Sequence, residues 1–283
     1  MTAVRNEFIG KIPGFLSEPG FCQLAEFYQH VRDTFTQVLV SGSCVYMVED
    51  SLFRFEAIWD FIFPPFCVVC RTDGSWWCEA CRSSVQMIRG RVCAGCGRQR
   101  NQGHACRNTL GLDGFAACGY YHDPKLRLAL QGLKYRGVSR MTHELKDFLV
   151  CWRASWLGAW PWAGVTDLGI QPLVGSPPSV RARGFDQAEL LAGLVRQTLV
   201  PWARPLDALV RRRSLMPQAK VELGLRRANV AGSFGLKPGV ALPSSVILVD
   251  DVVTSGATMH EAASALRAAG VTRVFGFALA LGA

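Results

Sequence analysis

From about residue 115 onward, short apolar runs alternate with stretches whose apolar residues recur every three or four positions. FAACGYY (115–121) reads as a buried strand. PKLRLALQGLKY (124–135) reads as a helix, with Leu126, Ala129, Leu130 and Leu133 at helical spacing and Pro124 suited to its first turn. GIQPLV (169–174) is a further strand, and DQAELLAGLVRQTL (186–199) a helix with Asp186 as its N-cap. The last unit is the clearest: VILVD is a strand, TMHEAASALRAAG a helix closing on Gly270, and VTRVFGFALAL a strand. This alternation predicts an α/β domain whose sheet is mainly parallel and flanked by helices.

Residues 1–58 carry one set at helical spacing, Leu24, Phe27, Tyr28, Val31, Phe35, Val38 and Leu39, which predicts one amphipathic helix in an extension without a catalytic pattern. Between the extension and the α/β region the texture changes to paired cysteines, basic residues and little strand pattern. Composition then narrows the picture. The chain has 283 residues, 49% of them apolar, so a substantial core can form, and its 19% of charged residues argues against a mainly disordered protein. A formal charge of +9 points to a phosphate-bearing partner without separating a nucleotide, a sugar phosphate and a nucleic acid. No apolar run approaches the ~20 residues that span a bilayer, so no membrane insertion is expected. The first twenty residues lack a signal-peptide pattern, and the expected localisation is cytoplasmic. In that compartment the eleven cysteines read as metal ligands before disulfides.

The cysteines run Cys67-x2-Cys70, Cys78-x2-Cys81, Cys93-x2-Cys96 and then Cys106. Each CxxC turn aims two thiolates at one point, and two turns complete a tetrahedral zinc site. Cys67, Cys70, Cys78 and Cys81 form the expected first set, and four thiolates make that zinc structural, with no open position. Cys93, Cys96 and Cys106 form a second set whose fourth ligand is His104 or Cys118, unless that site is degenerate and empty. The expected organisation is therefore an extension over 1–58, a small double zinc-ribbon-like domain over 59–114 and the α/β domain over 115–283.

VILVDDVVTSGAT (246–258) ends a buried strand on two acids and runs into a loop of hydroxyls and glycine before a helix. Ligands of open α/β sheets bind beyond the carboxyl ends of strands, where helix N-termini favour anions. The loop Thr254, Ser255, Gly256, Ala257 and Thr258 suits a phosphate, with Gly256 permitting close approach. Asp250 and Asp251 suit sugar hydroxyls or outer-sphere contacts to Mg2+. A capping box of Thr258 and Glu261, with the two acids as solvated charges, is the structural alternative.

At these residues the sequence resembles the phosphoribosyl-pyrophosphate (PRPP) signature of type I phosphoribosyltransferases. The resemblance implies that Asp250 and Asp251 hold the ribose 2′- and 3′-hydroxyls and that the segment Asp250, Asp251, Val252, Val253, Thr254, Ser255, Gly256, Ala257, Thr258 binds PRPP, its 5′-phosphate lying on Thr254 to Thr258. Further stretches are similar to the ComF/GntX branch: IWDFIFPPFCVVC leading into the cysteines, LKYRG (133–137), RARGFDQ (181–187), and Gln218, Arg226 and Asn229 in QAKVELGLRRANVAGSF. The likeness covers roughly residues 59–283. It implies a type I phosphoribosyltransferase-like fold behind a zinc ribbon and Lys134 near the pyrophosphate, the alternative for Lys134 being a solvated helix-end lysine. Arg181, Arg183 and Gly184 read as a loop able to close over the diphosphate or else as a solvated basic loop. The sequence departs from the pattern at Asp186 (usually Asn), at IQPLVGSPP, and in the missing eighth zinc ligand.

Three functions follow as expectations. The first is a phosphoribosyltransferase moving the phosphoribosyl group of PRPP, with Mg2+, to an acceptor the sequence does not specify. The second is a non-catalytic accessory of DNA uptake that binds single-stranded DNA or competence-machinery proteins. Seven arginines against two acids in residues 71–107, and Trp76 and Trp77 as stacking platforms, would serve it, although the same rings also suit a ribbon core. The third is a sensor of PRPP or another ribose 5-phosphate ligand without turnover.

Overall fold

The computed structural model describes residues 65–93, 111–135, 138–173, 186–211 and 233–282, with the backbone alone for 134, 135 and 138–140. The helix expected around residues 24–39 lies outside them, as do Cys96, His104, Cys106, Arg181, Arg183, Gly184, Gln218, Arg226 and Asn229. The ribbon residues from Phe66 onward belong to the same compact unit as the sheet.

In chain order the described elements are α1 (Glu79–Ser83), β1 (Gly114–Tyr120), α2 (Pro124–Tyr135), α3 (Val138–Ser155), β2 (Leu168–Pro172), α4 (Gln187–Leu199), β3 (Arg204–Pro205), β4 (Leu209–Arg211), β5 (Phe234–Leu236), β6 (Ser245–Val253), α5 (Ala257–Ala268) and β7 (Arg273–Leu281). Five strands form one sheet in the order β1-β7-β6-β2-β3, every neighbouring pair parallel. The expected α/β fold, a mainly parallel sheet flanked by helices, is what the chain adopts. Among the described residues no helix is long and apolar enough to cross a membrane.

Alternation along β6 sorts the core into two layers. Ile247 and Val249 face Leu191, Leu194 and Val195 of α4, while Val246 and Leu248 join Met259, Ala262, Ala263 and Leu266 of α5 on the other face. Each such buried side chain contributes about 1.5–3 kcal/mol of burial free energy, so both helices are fixed by their apolar stripes more than by intrinsic propensity. Gly276 on β7 makes the α5 side close: a methyl there would stand 2.7 Å from Met259 Sδ and from Phe115 Cδ2.

Several expected elements land on their residues. α2 spans the expected 124–135, and Asp186 caps α4 by accepting a hydrogen bond from the Ala188 amide at 2.8 Å. Asp and Asn cap about equally well, which accounts for the acid at that position. α3, the longest described helix, had no predicted range. Its buried side, Met141, Leu145, Phe148, Leu149 and Trp152, is broken by His143, Lys146 and Asp147 on the other side. The indole of Trp152 donates to Ile88 O at 2.7 Å, and the Ile88 amide donates to Cys118 O at 2.9 Å, so the chain leaving the ribbon is tied to both α3 and β1.

Gln171 is a fully buried polar residue on β2. Its Oε1 accepts from the amides of Ala208 (2.8 Å) and Leu209 (3.4 Å), and its Nε2 donates to Pro172 O at 2.8 Å. It thereby anchors the antiparallel pair β4–β5 to the sheet, which explains why a polar side chain stands in IQPLVGSPP. Gln171→Leu, similar in volume, strands the Ala208 amide without a partner. The expected loss is about 2–3 kcal/mol, read as a lower urea midpoint at unchanged m-value.

Candidate functional site

β6 ends in Asp250-Asp251-Val252-Val253, and its burial drops from complete at Val249 to partial at the two acids. Each carboxylate is fixed by the next amide: Asp250 Oδ1 accepts from Asp251 N and Asp251 Oδ1 from Val252 N, both at 2.8 Å. The chain then turns through Thr254 and Ser255 to Gly256, whose φ of 69° is the left-handed conformation that glycine adopts without a Cβ penalty. Gly256 is the N-cap of α5, which begins at Ala257. Thr258 therefore sits inside the first turn, and the capping box of Thr258 and Glu261 does not form. Ser255 takes that role in part, its Oγ accepting from the Ala257 amide at 3.4 Å.

Two further contacts set the corner. The Gly282 amide donates to Val253 O at 2.8 Å. A methyl on Gly282 would lie 2.9 Å from Thr254 Cγ2, so only glycine leaves Thr254 where it stands. Sequence reasoning passed over Gly282, because the residue it serves is far away along the chain.

The corner lies at the switch point of the sheet. From β2 the chain passes through α4 to β3 on one side, and from β6 through α5 to β7 on the other, so the helices cover opposite faces. A crevice opens between two such strands at their carboxyl ends, the usual ligand position in open α/β sheets. The Leu173 amide donates to Val249 O at 2.8 Å, so the chain leaves β2 beside the acid pair and re-enters the described structure at the buried Asp186 and Gln187. Arg183 lies on the intervening stretch, outside the described residues. Lys134 is in the last turn of α2, and its neighbour Leu133 lines an apolar crevice with Leu279. Leu279 lies between the register pairs Asp250↔Ala278 and Val252↔Ala280, level with Asp251.

The four thiols of Cys67, Cys70, Cys78 and Cys81 lie within 4.8 Å of one another, Cys70 Sγ being 3.6 Å from Cys78 Sγ. Tetrahedral zinc with Zn–S bonds of about 2.3 Å sets sulfur atoms roughly 3.8 Å apart, and the cluster fits that ion. The local chain builds it: the Arg71 amide closes the first turn on Cys67 O at 2.9 Å, and Arg71 itself takes a φ of 67°. Burial works against a charged Cys67, but the amides of Cys70, Cys78 and Val69 outweigh it and bring the thiol below its ordinary range. The Thr72 hydroxyl, then its amide, brings Cys70 down to about 6. Those two thiols are ready to ligate as thiolates, whereas burial pushes Cys78 and Cys81 up, so they would give up their protons to the metal on binding. Cys93 is buried and Cys118 lies in the core of β1, its thiol pushed well up by burial; among the described residues neither joins a metal cluster.

Trp77 is buried against Phe148, ring centroids 4.9 Å apart, and Trp76 is partly buried with its amide donating to Glu144 Oε1 at 3.1 Å. They are the ribbon's core, and Trp77 offers no face for a base to stack on. Arg211, first of the three consecutive arginines, lies on β4 with its guanidinium 5.8 Å from the centre of the Phe234 ring.

Residues 58–110 match the double zinc ribbon domain family. The chain is 28% identical over 200 residues to the competence protein ComFC of Bacillus subtilis (strain 168), an alignment covering 67% of this chain and 77% of that protein. The chain is homologous to that ComFC protein over this span. The competence protein ComFC of Streptococcus pneumoniae (strain ATCC BAA-255 / R6) is 33% identical over 104 residues, 37% of this chain and 44% of that relative. The ribbon match and the four-thiol cluster together support a structural zinc on Cys67, Cys70, Cys78 and Cys81. The match also takes in Cys93, Cys96, His104 and Cys106.

Proposed function

We propose that the chain binds PRPP at the β6–α5 corner and transfers its phosphoribosyl group to a nitrogen nucleophile. The observation that carries this reading is one turn at the switch point of a parallel sheet. There a half-buried acid pair is followed five residues on by a left-handed glycine and a helix N-terminus. In this reading the amides around Gly256 and the hydroxyls of Thr254, Ser255 and Thr258 hold the 5′-phosphate. Asp250 and Asp251, each rotationally fixed by an amide, accept the ribose hydroxyls.

The bond from C1 of the ribose to the diphosphate oxygen breaks as the bond to the incoming nitrogen forms, the nitrogen loses a proton, and pyrophosphate departs. Developing positive charge on the ribose is offset by the acid pair. Lys134 and Arg183 are the basic groups assigned to the leaving diphosphate. Carboxylates of this kind suit the water shell of Mg2+. With PRPP bound, that ion would supply charge neutralisation on the diphosphate. A cytoplasmic setting, where thiols stay reduced for zinc, belongs to the same proposal.

A place in competence rests on the names of the two relatives. We take it as the process in which such an activity would be used, with other competence proteins as partners. Direct binding of single-stranded DNA is the second reading, resting on those names and on the charge of +9, but the burial of Trp77 removes one of the two stacking rings it called on. Calorimetric titration with Mg-PRPP, followed by a pyrophosphate-release screen across bases, tests the proposal. Binding with release for one base is the expected result. Binding without release for any base turns the chain into a PRPP sensor, and no binding at millimolar PRPP sinks the reading. Oligonucleotide affinity that falls steeply with salt would favour the DNA reading.

A further inference from the structure

Both cysteine turns of the ribbon touch the last turn of α2. Val68 stands between Cys67 and Cys70, and a methyl on Gly132 would lie 3.0 Å from its Cγ1. Trp77, the residue before Cys78, lines one apolar crevice with Leu130, Leu133, Met141 and Leu279. The Val68 amide also donates to Trp76 O at 2.9 Å, which locks the two turns together. The same crevice is also lined by Leu279, which is level with Asp251 on the neighbouring strand. The end of α2 is thus held between a thiol cluster and the strand position beside the acid pair.

We propose that the ribbon is a positioning device for the diphosphate side of the ligand site: Val68 and Trp77 seat Gly132 and Leu133, and through them fix the backbone that carries Lys134. This deepens the phosphoribosyl reading and rests on it. The chemistry is mechanical. Two turns tied at a common metal form a rigid block, and close-packed side chains transmit displacement because the interior has few voids to absorb it. Glycine at 132 is otherwise a cost inside a helix, and the close approach of Val68 gives it a reason. The 5′-phosphate loop stands on β6 and α5 and has no share in this contact, so the two ends of PRPP should respond differently.

The test uses the full chain and two ligands, ribose 5-phosphate and Mg-PRPP. Gly132→Ala pushes the helix end off Val68. It should keep its zinc and bind ribose 5-phosphate within about twofold of wild type, while Kd for Mg-PRPP rises about tenfold. Val68→Ala removes the opposing methyl, so the double variant Gly132→Ala/Val68→Ala should recover PRPP affinity to within about threefold of Val68→Ala alone. Amide exchange at Leu133–Tyr135 should speed up in Gly132→Ala and slow again in the double variant. If Gly132→Ala fails to fold, Trp77→Phe carries the same two outcomes by opening the crevice from the ribbon side. Wild-type PRPP affinity in the single variant, or equal weakening of both ligands, overturns the positioning role alone. A wild-type chain that binds neither ligand overturns the site reading and this inference with it.

Discussion

Cys67→Ser is expected to remove one zinc per chain and to cost the whole domain several kcal/mol, a fall in Tm of roughly 10 °C for a unit of this size. The size of the effect comes from where the cluster sits. Cys67 and Cys81 are buried in the same apolar layer as Trp77, Leu126, Leu130, Phe148 and Leu149, so the ribbon is continuous with the core under the sheet. Serine oxygen is a poor zinc ligand, and the remaining thiols would be left to repel or protonate around an open centre. Trp77 would then lose the turn that holds it against Phe148, and with it part of the packing of α2 and α3. Elemental analysis and thermal denaturation of the variant check this. Cys151→Ser is the control: the thiol is exposed and outside the cluster, so zinc content and Tm should not move. Cys67→Ser protein that keeps its full zinc content would show that the metal sits elsewhere.

What the chain discloses before folding follows from the range of the interactions. The helix over 124–135, the Asp186 cap and the β6–α5 corner are all written within a dozen residues, because periodicity, capping and turns are local. The same holds for the first zinc set, whose four ligands lie within fifteen residues. Features defined by distant partners were not legible. Nothing next to Gln171 in the sequence points to its partners, the amides of Ala208 and Leu209. Gly132 and Gly282 look like ordinary small residues until Val68 and Thr254 are found against them. Trp77 could stack on a base or fill a core, and only Phe148, from a helix with no predicted range, decides between them. The capping box failed for a subtler reason. Thr258-x-x-Glu261 has the right spacing, but the left-handed turn at Gly256 starts the helix two residues earlier.

Asp251→Asn should leave the fold intact and cost at least a hundredfold in pyrophosphate release per mole of Mg-PRPP, about 3 kcal/mol of transition-state stabilisation. The amide side chain still offers an oxygen to Val252 N, so the rotamer set by that 2.8 Å contact is kept and Tm should change little. What disappears is negative charge beside a ribose that becomes cationic as the diphosphate leaves, together with the stronger acceptor a charged oxygen makes for a hydroxyl. Asp250→Asn/Asp251→Asn should lose most affinity for ribose 5-phosphate as well. Inorganic phosphate should bind the double variant as it binds wild type, or slightly tighter, because its ligands are the Thr254–Thr258 loop and two repelling charges have gone. That ordering separates the two readings of the corner. If the acids are solvated strand-end charges, release, ribose 5-phosphate and phosphate binding all stay near wild type in both variants. If the chain acts by binding DNA, oligonucleotide affinity is unchanged or rises as net charge becomes more positive, and its steep salt dependence persists.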